Sequence, residues 1–197
     1  MSSYFSVQLH ITDVCDQWWK HCYIFSEGHP CITTMAWEEM LRTYAQIQAL
    51  CRSLGRIPYI YLTGGDPILH PAFWDLLALF KADGTRFCVI GNPFHLTESV
   101  CARMKDCGCV KYQLSLDGLE KTHDSFRKPG SFRATVEAIR TIKRSGMWCA
   151  VMSTVSKTNM NEIPALIGLA DALGVDVYAF GRYCPTAAEK AHDTDMH

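Results

Sequence analysis

The sequence predicts an α/β fold built on a parallel sheet of six β/α units. Short β-branched or aromatic runs alternate with longer segments of 3.6-residue apolar periodicity. The runs recur about every 30 residues, the length of one strand–helix unit. A closed eight-unit barrel takes about 250 residues, and this chain has 197.

The strands are expected at Phe5–Thr12, Ile57–Thr63, Arg86–Gly91, Val110–Leu116, Trp148–Val155 and Val175–Phe180. The helices are expected at Ala36–Leu54, Pro71–Lys81, Leu96–Lys105, Ser131–Ser145 and Ile163–Leu173. Local chemistry marks the helix ends. Thr97 can cap a helix entered by Glu98, Pro71 and Pro164 stand near helix starts, and Gly55, Gly84, Gly108, Gly146 and Gly174 follow helices where glycine is favoured. Strand–helix alternation implies parallel pairing through right-handed crossovers. Periodicity leaves two closures open, a curved barrel open on one side and a flat doubly wound sheet. No glycine-rich dinucleotide fingerprint follows the first strand, which disfavours a plain nucleotide-binding domain.

Composition narrows the class. With 48% hydrophobic residues, the chain can bury a sizeable core. A net charge of −1 gives no electrostatic footprint for nucleic acid. No basic-then-apolar leader opens the chain and no run reaches the length of a membrane span, so a cytoplasmic protein without membrane partners is expected. Ten cysteines without an export signal point to metal or thiol chemistry rather than disulfides. Cys51, Cys88, Cys101, Cys107, Cys109 and Cys149 lie in apolar or helix-end contexts and read as small core residues.

Ligands of parallel β/α folds bind at the carboxyl ends of the strands, so the loops there carry the functional signal. The first loop is long and polar and holds Cys15, Trp19, His21, Cys22 and Tyr23. The second reads Gly64-Gly65-Asp66-Pro67, in which two glycines allow close backbone approach and the acid can accept from an ammonium group. The third ends on Gly91-Asn92-Pro93, and the fourth places Ser115 and Asp117 on one face at period two. Ser153 stands near the end of the fifth strand. His10, His70 and His95 read as structural.

In this order the motifs resemble the radical S-adenosylmethionine (radical SAM) superfamily. Cys15, Trp19 and Cys22 fall on its Cys-x3-Cys-x2-Cys signature, and His21-Cys22-Tyr23 matches the end of that signature. Gly64-Gly65-Asp66-Pro67 is similar to the family's Gly-Gly-Glu-Pro. Ser115-Leu116-Asp117-Gly118, His123-Asp124, Arg127, Gly130-Ser131-Phe132 and Tyr183-Cys184-Pro185-Thr186 resemble the branch that modifies peptides and proteins and carries a SPASM domain.

The resemblance implies a partial (β/α)6 TIM-like barrel, open on one side, with a core domain over residues 1–186 and a polar tail at 187–197 that could begin a further domain. It implies a [4Fe–4S] cluster held by cysteines and SAM bound to its fourth iron. One-electron reduction of SAM would give a 5′-deoxyadenosyl radical that abstracts hydrogen from a peptide or protein substrate, leading to thioether or carbon–carbon cross-links. A small protein would donate the electron. Cys15 and Cys22 are the implied metal ligands. Tyr23 lies against the adenine, Gly64, Gly65 and Asp66 receive the SAM ammonium group, Ser115 and Asp117 face the ribose or methionyl part, and Arg127 meets the carboxylate. Asn92 and Ser153 are further cofactor-binding candidates.

Trp19 departs from the pattern. An indole offers an N–H donor and no thiolate, so the substitution predicts a weak or absent cluster and little turnover. Cys31 has the wrong spacing to substitute, and Cys15, His21 and Cys22 could instead take zinc. The alternative function is a cluster-less, non-catalytic scaffold that binds SAM, a peptide or a partner protein.

Overall fold

The computed structural model describes residues 3–17, 19, 22, 24 and 32–184. Tyr23, His21, Cys31 and the 187–197 tail lie outside the described residues. Six strands, β1 (Tyr4–Thr12), β2 (Ile57–Gly64), β3 (Arg86–Ile90), β4 (Cys109–Ser115), β5 (Trp148–Val155) and β6 (Val177–Arg182), form one parallel sheet in sequential order. This is the open half-barrel of the two expected closures. Among the described residues six α-helices accompany it: α1 (Trp37–Ser53), α2 (Phe73–Ala82), α3 (Glu98–Asp106), α4 (Glu120–Phe126), α5 (Ser131–Ser145) and α6 (Ile163–Ala172). Among them none is long and apolar enough to cross a membrane.

The core lies between the sheet and its helical layer. Leu9 and Ile11 of β1, Ile60 and Leu62 of β2, Phe87 and Val89 of β3, Tyr112 and Leu114 of β4, and Cys149 and Val151 of β5 pack with Met40, Tyr44, Leu76, Phe80, Met104 and Ile139. Parallel register places Gln8, Tyr61 and Cys88 side by side on the other face, and Gln113 next to Ala150. That face is polar and aromatic: Lys111 Nζ lies 3.2 Å from Tyr61 Oη and 4.8 Å from its ring centroid. The six cysteines expected in the core are all buried. Burial pushes the thiols of Cys88 and Cys149 up to about 12 and Cys101 to about 11, so they are inert packing groups.

Helix α4 is an element that periodicity does not predict. Its seven residues are mostly polar and carry no apolar period, and its exposed N-terminus is satisfied from far away. Glu162 accepts from the Leu119 N–H at 2.7 Å and from Thr122 Oγ1 at 2.6 Å. Strand β6 starts two residues later than expected. Val175 N–H instead closes the end of α6 on Ala170 O (3.0 Å), while Asp176 exchanges bonds with Cys149. Thr97 caps α3 as its sequence suggests, accepting from Val100 N–H at 3.2 Å.

Candidate functional site at the carboxyl ends of the strands

The loops after β1 and β2 are stitched together by backbone. Gly65 N–H donates to Thr12 O at 2.7 Å and Asp66 N–H to Val14 O at 2.8 Å. Both glycines are dictated by this approach. Gly64 has φ +137°, and a Cβ there would strike Thr12 O; a Cβ on Gly65 would strike Val14 O and Asp13 O. Their small size therefore serves the meeting of two loops, which fixes the position of the next residue, Asp66.

Asp66 is fully buried, and neither carboxylate oxygen has a hydrogen-bond partner. Burial raises its carboxyl to about 7; His95 and the nearby N–H groups of Ile68 and Asn92 oppose the rise, and Asp16 adds to it. Gly91, at the end of β3, leaves room for it: a Cβ there would press on Tyr112 Oη and on Asp66 Oδ1. A buried, unsolvated carboxylate costs free energy unless a cation or donor meets it.

Beside it lies Cys15, whose sulfur accepts from Gln17 N–H at 3.4 Å and from Asn92 Nδ2 at 3.3 Å. Burial raises this thiol, helped by the carboxylates of Asp66 and Asp16 and opposed by the two N–H donors. Asn92 is fully buried and reaches Cys15 from the β3 end. Cys22 is half-buried and its N–H donates to Trp19 O at 3.1 Å. Asp16 accepts from Gln17 Nε2 at 2.8 Å and lies 2.9 Å from His95 Nε2. Neither Asp16 nor His95 carries a signal in the sequence. His95 reads there as structural, and only the folding of the β3 loop brings the two together.

On the far side of the mouth, Trp19 covers Arg127, with the guanidinium carbon 3.7 Å from the indole centroid. Arg127 donates to Asp117 through Nε at 2.8 Å and Nη2 at 2.6 Å, and the two side chains are 4% and 1% exposed. The other Asp117 oxygen accepts from Thr154 N–H at 2.8 Å. Both residues expected to face SAM are thus committed to each other beneath the indole, joining β4, α4 and β5. Ser115 is half-buried at the end of β4. Ser153 shares the helix-facing side of β5 with Val151, where it donates to Leu116 O and bonds Tyr178 Oη at 2.7 Å. The motif after Asp117 has a local structural use: Asp124 accepts from Gly130 N–H (2.7 Å) and Phe132 N–H (2.8 Å), clipping α4 to α5.

The ion pair makes a sharp prediction. Arg127→Ala strips the guanidinium from a buried carboxylate and should lower unfolding stability by about 3–5 kcal/mol, read as a lower denaturant midpoint. A drop below about 1 kcal/mol would mean that the pair is exposed in solution.

The residues present divide into two halves when tested against SAM and a cluster. The orphaned carboxylate of Asp66 fits the ammonium group of SAM. The three signature positions, Cys15, Trp19 and Cys22, offer two thiols and an indole, which does not fit a cluster held by three thiolates.

A family model described as Radical SAM superfamily matches residues 11–170. The AdoMet-dependent heme synthase of Methanosarcina barkeri is 30% identical over 136 residues, 68% of this chain and 39% of that protein. The sporulation killing factor maturation protein SkfB of Bacillus subtilis is 23% identical over 178 residues, 90% of this chain and 42% of SkfB. The crystal structure of Streptococcus suis SuiB bound to precursor peptide SuiA superposes with a TM-score of 0.73 at 14% identity, covering 100% of this chain and 42% of SuiB, a likeness of fold. The chain spans about two fifths of the length of these relatives.

Proposed function

This chain belongs to the radical SAM superfamily, and on that premise we propose that it is a SAM-binding domain of the peptide- or protein-modifying type in which Trp19 withholds the third thiolate of the cluster. The family's members are enzymes that use a [4Fe–4S] cluster and SAM. Asp66 carries the reading for this chain. It is a buried carboxylate with two unpartnered oxygens, next to Cys15 at the carboxyl end of the sheet. An ammonium group placed against it would satisfy the acid and hold it ionised.

The protein's own groups have distinct parts in this proposal. Gly64 and Gly65 let the β1 and β2 loops meet and so set the height of Asp66. Asn92 orients the Cys15 sulfur. Asp117 and Arg127 brace the opposite wall, and Trp19 closes over them. With a third thiolate restored at position 19, Cys15 and Cys22 would hold the cluster; Tyr23 would meet the adenine, and Ser115 would border the methionyl side. A bound cluster would supply the electron that cleaves SAM. With two thiols and an indole the chain as it stands binds SAM without forming the radical.

A peptide substrate is supported by the similarity to SkfB, by the fold shared with SuiB, and by the open side of the half-barrel. The similarity to a heme synthase favours a tetrapyrrole as the second reading. Equilibrium dialysis with radiolabelled SAM at pH 8 should show one site per chain, and iron and sulfide assays after anaerobic reconstitution should show well under a full four-iron complement. Absence of SAM binding would defeat the first half of the proposal, and a full cluster the second.

A further inference from the structure

Two side chains at the mouth have no part in the SAM reading. Asp16 follows Cys15 on the first loop, and His95 comes from the loop after β3, with its Nε2 2.9 Å from Asp16 Oδ2. Each of Asp16, Asp66 and His95 offers one donor atom within 4.8 Å of the other two. A tetrahedral ion with nitrogen and oxygen ligands at about 2.0–2.1 Å separates its donors by about 3.3 Å, so a modest closing of the three side chains suffices. The hydrogen bond between His95 and Asp16 puts a proton where such an ion would stand.

A second observation points to a cation at this place. Gln17 Oε1, both oxygens of Asp66 and Asn92 Oδ1 are buried acceptors without hydrogen-bond partners. Among the described residues, the buried side-chain oxygens left in this state all lie on the three loops around Asp66. Asp66 itself is fully buried. Orphaned acceptors are relieved by a donor or a positive ion, never by another acceptor. The guanidinium at this mouth, Arg127, is already held by Asp117.

We propose that Asp16, Asp66 and His95 form a mononuclear site for a divalent transition metal, of the zinc or ferrous class, held by two carboxylates and one imidazole. This donor set lacks thiolate and suits an ion of borderline hardness. The proposal goes beyond the SAM reading but shares Asp66 with it. Metal and the SAM ammonium group are alternative occupants of that carboxylate, whereas Asp16 and His95 serve the metal alone.

The test is an anaerobic titration of the chelator-stripped chain with Co2+. One equivalent should bind with visible ligand-field bands and without the intense near-ultraviolet band of cobalt–thiolate bonding. The double variant Asp16→Asn, His95→Ala should bind Co2+ at least about tenfold more weakly, a loss of about 1.4 kcal/mol or more. Both side chains are partly exposed, at 41% and 34%, so the variant should keep the parent's melting temperature. Its affinity for SAM should stay within about twofold of the parent's, and excess Zn2+ should weaken SAM binding in the parent but not in the variant. Co2+ binding that survives the double substitution overturns the proposal. So does binding that shows the thiolate band and vanishes in Cys15→Ser or Cys22→Ser. If the parent binds Co2+ as described but no SAM, the metal site stands and the SAM reading fails.

Discussion

Trp19→Cys should turn a colourless protein brown. After anaerobic reconstitution the parent is expected to retain less than about one iron per chain, and the variant about four irons and four sulfides, with the broad absorbance near ~400 nm of a thiolate-bound cluster. The reason is donor chemistry. Cys15 and Cys22 supply two thiols on this loop, and the indole between them can donate a hydrogen bond but cannot ligate iron. Removing the indole also uncovers Arg127, which it now covers at 3.7 Å. A cation–π interaction of this kind stabilises by about 1–2 kcal/mol. The apo variant should therefore melt slightly lower than the parent, even as the reconstituted one gains stability from its cofactor. Equal iron content in the two proteins would refute the role given to Trp19.

Asp66→Asn is the second large effect, and it acts on binding and stability in opposite directions. The SAM site loses its buried carboxylate with unpartnered oxygens, so affinity at pH 8 should fall about 10- to 100-fold, the size expected for a charge-assisted hydrogen bond in a buried setting. Stability behaves otherwise. Burial raises the folded-state pKa of Asp66 to about 7, above its ordinary 3.8, so the folded chain holds a proton there that the unfolded chain has released. The stability contribution of the neutral acid is therefore complete below about pH 4 and is lost as pH rises through 7. In chelator-treated buffer the parent should lose roughly 3–4 kcal/mol from this group between pH 4 and pH 8. Asn cannot ionise, so the variant should lack that slope and outlast the parent at pH 8 in urea melts. Parallel pH profiles for the two proteins would show that Asp66 is solvated. A residue whose replacement stabilises the fold while weakening binding is kept for its function.

Much of this is legible from local chemistry. Six strands can be placed because β-branched and aromatic runs recur at unit spacing, and helix ends because Thr97 and the five terminal glycines act within one turn of chain. The order of the strand-end loops follows from alternation alone, so Cys15, Gly64-Gly65-Asp66 and Asn92 can be assigned to one mouth before their distances are known. The sequence by itself therefore determined the α/β class, the six units, the membership that its motifs announce and the missing thiolate at Trp19, since each depends on neighbours a few residues apart.

The tertiary structure decided what depends on partners distant in the chain. Helix α4 exists because Glu162 satisfies its first turn across 43 residues, a bond no local pattern encodes. Asp117 and Arg127 are committed to each other because burial makes an unpaired charge intolerable, and the indole of Trp19 seals them there. His95 meets Asp16 across 79 residues only after three strands have paired. Asp66 is a carboxylate poised near neutrality rather than an ordinary acid because two loops close around it and shut out water, a property of the packed fold that no residue carries alone.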